Sequence, residues 1–393
     1  MLLRSERILT PAGVLAGEVR IDAGRIVAVA PADDSRGIAA DGPAADGFGE
    51  AIDLGRDWIV PGLIDLHVHG GGGAQFNTTD PDEVTAAMRF HAAHGATGML
   101  ATTVAAPPAQ LAGALAAIGR AGQRPHGRLL LGVHLEGPFL SRRRPGAMDP
   151  ETFLDPDEAI AERLLAAGDG KVAMMTLAPE LEGALKLVQR LTQNGIVASV
   201  GHSDASYAQT LAAVSAGARA ATHTFNAMAP FHHREPGLLG AVLDLPELSC
   251  ELICDGVHAS PVALRLAHRA KGTAGIRLVT DAISATGMAD AEYRLGSVPV
   301  RVREGRATVA SGHSIAGSTL TIDAAVRNAV RFLGVELGEA VAMASANPAR
   351  LLGLDHRKGA IASGLDADLT VLDEDLHARA TLVAGAWAHP PQA

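Results

Sequence analysis

The chain is 393 residues long, 48% hydrophobic and 19% charged, with a formal net charge of −10. That much apolar material supplies a sizeable core and excludes disorder, while the negative balance and the lack of a basic stripe exclude a nucleic-acid or anionic-membrane surface. No apolar run approaches the roughly eighteen residues needed to span a bilayer, and Arg4, Glu6 and Arg7 interrupt the amino terminus before a secretory segment could form, so a cytoplasmic protein with no membrane or nucleic-acid partner is expected.

Residues 1–58 hold short alternating runs, among which GEVRIDAGRIVAVA predicts two strands around a DAGR turn. The tail from 355 to 393 has the same character. Neither piece is long enough to bury a core alone, so the two ends are expected to pair into one small β-sandwich domain. Residues 59–354 then form a second, larger domain. Within it, apolar runs bounded by turn residues predict eight strands: LIDLHVH (63–69), ATGMLATTV (96–104), RLLLGVHLE (128–136), VAMMTLAP (172–179), IVASVGH (196–202), ARAATHTF (218–225), LSCELICDGVH (248–258) and IRLVTDA (276–282). Segments with helical spacing lie between most of them, such as PDEVTAAMRFHAAHG and SPVALRLAHRAKG, several closing on a glycine. This alternation predicts an α/β fold, a (β/α)8 TIM-like barrel. A doubly wound open sheet fits less well, because no G-x-G-x-x-G follows the first strand. The stretch LGSVPVRVREGRATVA (295–310) predicts a hairpin around EGR, placed over the barrel mouth. Cys250 and Cys254 fall in one predicted strand, with Cα atoms roughly 13 Å apart, too far for a disulfide.

In such barrels the chemistry sits at the carboxyl ends of the strands. Those ends carry His67 and His69, Glu136, His202, His223, His258 and Asp281. His67 and His69 stand two apart, so along a strand they point the same way, roughly 6.5 to 7 Å apart. Any of these residues alone has an ordinary structural reading. Together on one rim they would form a dense set of unpaired polar groups, and a metal centre removes that difficulty.

PGLIDLHVHG, HLEGPF, VGHSDA, THTFNAM, REPG, DGVH, VTDA and AGSTLT occur in this order between residues 61 and 321, within a likeness that runs from about residue 50 to 375. The set resembles the amidohydrolase superfamily and, within it, the N-acetylglucosamine-6-phosphate deacetylases. The resemblance implies that Glu136, His202 and His223 bind the principal divalent metal, and that His67 and His69 support a second ion where one is present. It implies that Asp281 is the catalytic acid and base. Asn226, Ala227, Arg234 and His258 match substrate-binding positions, with Arg234 and His258 on the phosphate side, and Ile315, Ala316 and Gly317 match a backbone loop lining the sugar. The expected cofactor is one or two divalent ions (Zn, Fe, Co or Mn), the expected partner a small-molecule sugar phosphate, and the expected assembly a homodimer.

The chemistry agrees with those assignments. An unactivated amide needs a stronger nucleophile than water, which a carboxylate–imidazole metal site supplies near neutral pH. A guanidinium such as that of Arg234 offers phosphate paired donors in a fixed plane, and the run Arg142, Arg143, Arg144 could add positive potential. One departure stands out. Counting along the loop after HLEGP brings Met148 to the place where many members carry a histidine, and methionine cannot donate a hydrogen bond to a carbonyl. A cyclic-amidase reading requires a lysine at the end of strand four, where this chain has LAPE and keeps Lys171 at the opposite end. Activity on N-acetylgalactosamine-6-phosphate remains open at this point.

Overall fold

The computed structural model describes residues 1–31, 51–312 and 314–391. Eight parallel strands form its central sheet: β1 (Leu63–Val68), β2 (Ala96–Thr103), β3 (Leu130–Glu136), β4 (Val172–Leu177), β5 (Val197–Val200), β6 (Ala220–Ala221), β7 (Ser249–Ile253) and β8 (Ile276–Val279). Spatial order follows chain order, as a (β/α)8 barrel requires. The strands are almost wholly buried runs rather than alternating ones, because helices cover one face and neighbouring strands the other. The helices start where the sequence offers caps. Asp80 accepts from the Asp82 amide at the start of Pro81–Ala93, and Ser260 caps Pro261–Lys271, each followed at once by proline.

All eight strands are shorter than expected, two of them by more than half. β6 keeps only two of its eight expected residues, since His223 and Phe225 take φ of 29° and 83°, a left-handed conformation that no pleated strand accommodates. β7 ends at Ile253, so Cys254 lies just beyond the strand that holds Cys250; both cysteines are buried and free.

The barrel closes between β8 and β1 by an irregular seam. The Asp281 amide donates to the His67 carbonyl at 2.8 Å, the His69 amide donates to the Ala282 carbonyl at 2.8 Å, and the Thr280 hydroxyl donates to Asp65 at 2.6 Å. The seam therefore fixes the first and last strand ends against each other at the mouth.

The chain ends meet in one hydrogen-bonded sheet of eight strands. Trp58–Pro61 pairs in parallel with Leu2–Thr10 on one side and antiparallel with Leu369–Leu372 on the other. Gly13–Asp22 and Arg25–Pro31 form the expected hairpin, turning at Ala23 and Gly24. Leu3, Ile8, Ile26, Ile59, Leu369 and Leu382 build the core of this unit from both ends. The part of the amino-terminal unit from 32 to 50 lies outside the described residues. After β8, the expected hairpin has a third strand: Glu292–Leu295, Val298–Arg303 and Arg306–Val309 form an antiparallel roof. Its inner residues Leu295, Val300 and Val302 pack with Leu140, Met148 and Phe153 from the loop after β3. Among the described residues, no helix is long and apolar enough to cross a membrane.

Candidate metal centre and its cavity

Glu136, the last residue of β3, is the hub of the mouth. Its Oε1 lies 3.1 Å from His202 Nε2 and 3.0 Å from His223 Nε2, and its Oε2 lies 3.3 Å from His69 Nε2. Asp281 Oδ1 is 3.1 Å from His69 Nε2 and 3.5 Å from His67 Nε2, while the Nε2 atoms of His67 and His69 are 3.1 Å apart. Two groups of possible ligands result, His67–His69–Asp281 and Glu136–His202–His223, both buried.

The far side of each ring shows what these nitrogens carry. His202 Nδ1 lies 2.9 Å from the Arg144 carbonyl and His69 Nδ1 3.2 Å from the Thr102 carbonyl, and a carbonyl can only accept. Both Nδ1 atoms therefore hold hydrogen, and in the neutral ring Nε2 is a bare lone pair aimed at the centre. His67 Nδ1 faces Glu251 Oε2 at 3.0 Å. Histidines pinned this way, with lone pairs and carboxylates meeting at about 3 Å, form a donor set that fits a divalent cation. His223 Nε2 stands 2.9 Å from His202 Nε2, and its Nδ1 has no partner among the described residues. The charge pattern makes the same demand. Burial pushes the Asp281 carboxyl up, but the adjoining His67 and His69 rings outweigh it and leave the group at about 2. Burial likewise opposes ionisation of Glu136, and the His67, His202 and His223 rings override it, holding the carboxyl well below its ordinary range.

Several of these residues stand in strained backbone. His202, His223, Ala227 and Asp281 have φ of 46°, 29°, 50° and 51°, conformations costing of order 1–3 kcal/mol each that persist where their surroundings enforce them. Here the enforcers are visible: the His223 amide donates to Glu251 at 3.0 Å, the Asp281 amide to the His67 carbonyl, and the Ala227 carbonyl accepts from Ser203 at 3.1 Å. Gly317 has φ 61°, and a Cβ there would meet Ile283 Cγ2 at 2.4 Å and the Asp281 carbonyl at 2.9 Å. Gly317→Ala should therefore displace Asp281 and lower the thermal midpoint, and a wild-type midpoint would show that the loop yields without cost.

A cavity of about 370 Å³ opens above the centre, lined by its ligand groups and by Met148, Asn226, His258 and Ile315. The amidohydrolase family profile matches residues 58–388. The chain belongs to the amidohydrolase family. That family is metal-dependent, in keeping with the donor set. This amidohydrolase is 40% identical over 347 residues to the N-acetylglucosamine-6-phosphate deacetylase of Mus musculus, an alignment covering 86% of this chain and 84% of the mouse protein. It is 37% identical over 389 residues to the N-acetylgalactosamine-6-phosphate deacetylase of Escherichia coli O157:H7, covering 98% and 99%. Among solved structures, a substituted N-acetyl-D-glucosamine-6-phosphate deacetylase from Mycobacterium smegmatis in complex with N-acetyl-D-glucosamine-6-phosphate superposes with a TM-score of 0.90, at 40% identity and with 99% of each chain covered.

The amidohydrolase cavity gathers most of the residues singled out from sequence. His258 is half-buried, its Nδ1 held 2.7 Å from Asp255 Oδ2. Asn226 spends its amide hydrogens on the His223 and Thr224 carbonyls. Ile315 and Gly317 line the cavity, whereas the Ala316 side chain is fully buried in the roof cluster. Arg234, expected over the same mouth, is exposed, bonds His233 at 2.9 Å and is not among the lining residues. The arginine run is tied down beside the cavity rather than lining it: Arg142 donates to the Phe153 carbonyl, and Arg143 and Arg144 share the Asp204 carboxylate. Two residues went unnoticed in the sequence. Arg306, on the roof, lines the cavity and makes no ion pair with any described residue. Glu251, on β7, lies beneath the centre.

Proposed function

We propose that the chain hydrolyses the acetamide of N-acetylglucosamine-6-phosphate to glucosamine-6-phosphate and acetate. The observation that carries the reading is the convergence of Glu136, His202, His223 and Asp281 on one cavity, in a chain 40% identical to enzymes of that name. Glu136, His202 and His223 would hold the principal ion, and His67 and His69 would support a second. A divalent ion bound there, one of Zn, Fe, Co or Mn, would supply Lewis-acid polarisation and a water that is nucleophilic near neutral pH. Asp281 takes the proton of the attacking water on a carboxylate oxygen and returns it to the amine nitrogen as the C–N bond breaks. Met148, buried in the cavity wall, offers no hydrogen to the carbonyl, so that position would leave polarisation to a bound ion. Asn226, Ala227 and the Ile315–Gly317 loop receive the sugar, and His258 stands on the phosphate side. The reading also divides the chain into a barrel domain over 59–354 and a small domain from 1–58 and 355–393.

The test is acetate release from a panel of N-acetyl hexosamines with and without the 6-phosphate. The 6-phosphate of N-acetylglucosamine should give the largest kcat/KM. The galactosamine epimer is the second reading, favoured by the fuller alignment with the Escherichia coli enzyme, and a larger kcat/KM on it would replace the first. No release from any of them would end both.

Two arginines compete for the phosphate. Arg234 matches the expected position, and Arg306 has the placement. Replacing the arginine that binds should cost roughly 10²-fold in kcat/KM on the phosphorylated sugar, about 2–3 kcal/mol for a hydrogen bond to a charged group, and little on the unphosphorylated one. Comparing Arg306→Ala with Arg234→Ala on both sugars assigns the role, and equal losses on both sugars would remove the tested arginine from phosphate recognition. We also propose a cytoplasmic homodimer. The half-exposed apolar side chains Phe231, Val262 and Leu266 and the two free cysteines support it, and sedimentation velocity tests the dimer.

A further inference from the structure

Glu251 sits in the middle of β7, fully buried inside the barrel. Its Oε2 is 3.0 Å from His67 Nδ1 and accepts the His223 backbone N–H at 3.0 Å. An oxygen that takes the His223 hydrogen is an acceptor, so the His67 nitrogen facing it carries the hydrogen. That tautomer leaves His67 Nε2 bare toward Glu136 and Asp281, 3.5 Å from each. The same oxygen holds the peptide of His223 where its φ is 29°. One atom thus ties the β1 half of the centre to the half built from the ends of β5 and β6.

We propose that Glu251 is a positioning residue that makes the two halves of the metal centre interdependent: it sets the His67 tautomer and the His223 backbone together, so neither half keeps its geometry without it. The inference rests on the divalent-ion site described above and not on the identity of the sugar. His67, His134 and Glu251 also cluster closely enough to suggest a further ion. That alternative fails on the nitrogens: His134 Nδ1 lies 3.2 Å from the Leu66 carbonyl and its Nε2 2.7 Å from the Thr176 hydroxyl, while His67 Nδ1 is committed to Glu251. Glu251 Oε1 has no hydrogen-bond partner among the described residues, so both hydrogen bonds of the carboxylate run from Oε2 to His67 and His223.

The test uses full-length protein stripped with chelator and titrated with Zn²⁺ against a chromophoric competitor, for wild type, Glu251→Gln and Glu251→Leu. Outer-shell partners of metal ligands typically contribute about 10–100-fold in affinity, so Glu251→Leu should weaken Zn²⁺ by at least about tenfold. Glu251→Gln keeps an acceptor oxygen and should recover part of the loss. The thermal midpoints of the stripped proteins separate this from mere packing, because a packing role would shift those midpoints and leave Zn²⁺ affinity alone. Wild-type affinity in both variants overturns the proposal, and should the leucine variant not fold, the near-isosteric glutamine variant decides. A stripped wild type that takes up no Zn²⁺ refutes the metal centre itself and this inference with it. Because no sugar is present, a wrong substrate assignment leaves the result untouched.

Discussion

Asp281→Asn should leave the protein folded and the ion at Glu136, His202 and His223 in place, while kcat falls by roughly 10²–10⁴-fold, the contribution usual for a general acid–base group. The amide has nearly the shape of the carboxylate, so the seam survives: the residue 281 amide still donates to the His67 carbonyl and its own carbonyl still accepts from Ser318. What is lost is the capacity to take a proton and give it back. Circular dichroism and metal content establish that the variant is intact, and steady-state kinetics measure the loss. Turnover near the wild-type value would remove Asp281 from proton transfer and leave it as a wall of the cavity.

Glu136→Gln should act on the ion rather than on the proton. All four contacting imidazoles meet this one carboxylate, with Oε1 serving His67, His202 and His223 and Oε2 serving His69. The glutamine keeps the volume and removes the negative charge, so affinity for a divalent ion should fall by more than the roughly 10–100-fold that outer-shell partners contribute. Activity should fall with it at limiting metal and return in part when metal is in excess. Chelator competition and dose curves for the added ion measure both. Undiminished affinity would mean that the histidines alone hold the ion.

The barrel was legible because its strands are apolar runs separated by helices with marked caps, and all eight occur where those runs lie. The cluster of candidate metal ligands was legible for a related reason: a histidine or acid at the end of a buried apolar run has few other uses. Three features escaped for identifiable reasons. The early end of β6 depends on left-handed φ at His223 and Phe225, which neither residue type announces. Glu251 sat inside SCELIC and passed as part of a strand; a lone acid amid buried apolar neighbours was the available signal, since such a group needs partners. Arg306 and Arg234 differ in placement through loop paths of the roof and of the segment after β6, and loop paths leave no periodicity to follow.

The joining of Trp58–Pro61 to Leu369–Leu372 sets an order on biosynthesis. The two partners are separated by about 300 residues of chain, which a ribosome adding roughly 5–20 residues per second takes some 15–60 s to deliver. Throughout that interval the first strands can form their hairpin but keep one flank of Trp58–Pro61 without its neighbour, an open template for mispairing with other nascent chains. The barrel waits less: its strands pair with their neighbours in chain order, and its closing seam joins β1 to a segment 215 residues later. The barrel's seam can therefore close before the sheet at the chain ends is complete, and Leu369–Leu372 covers the flank of Trp58–Pro61 last.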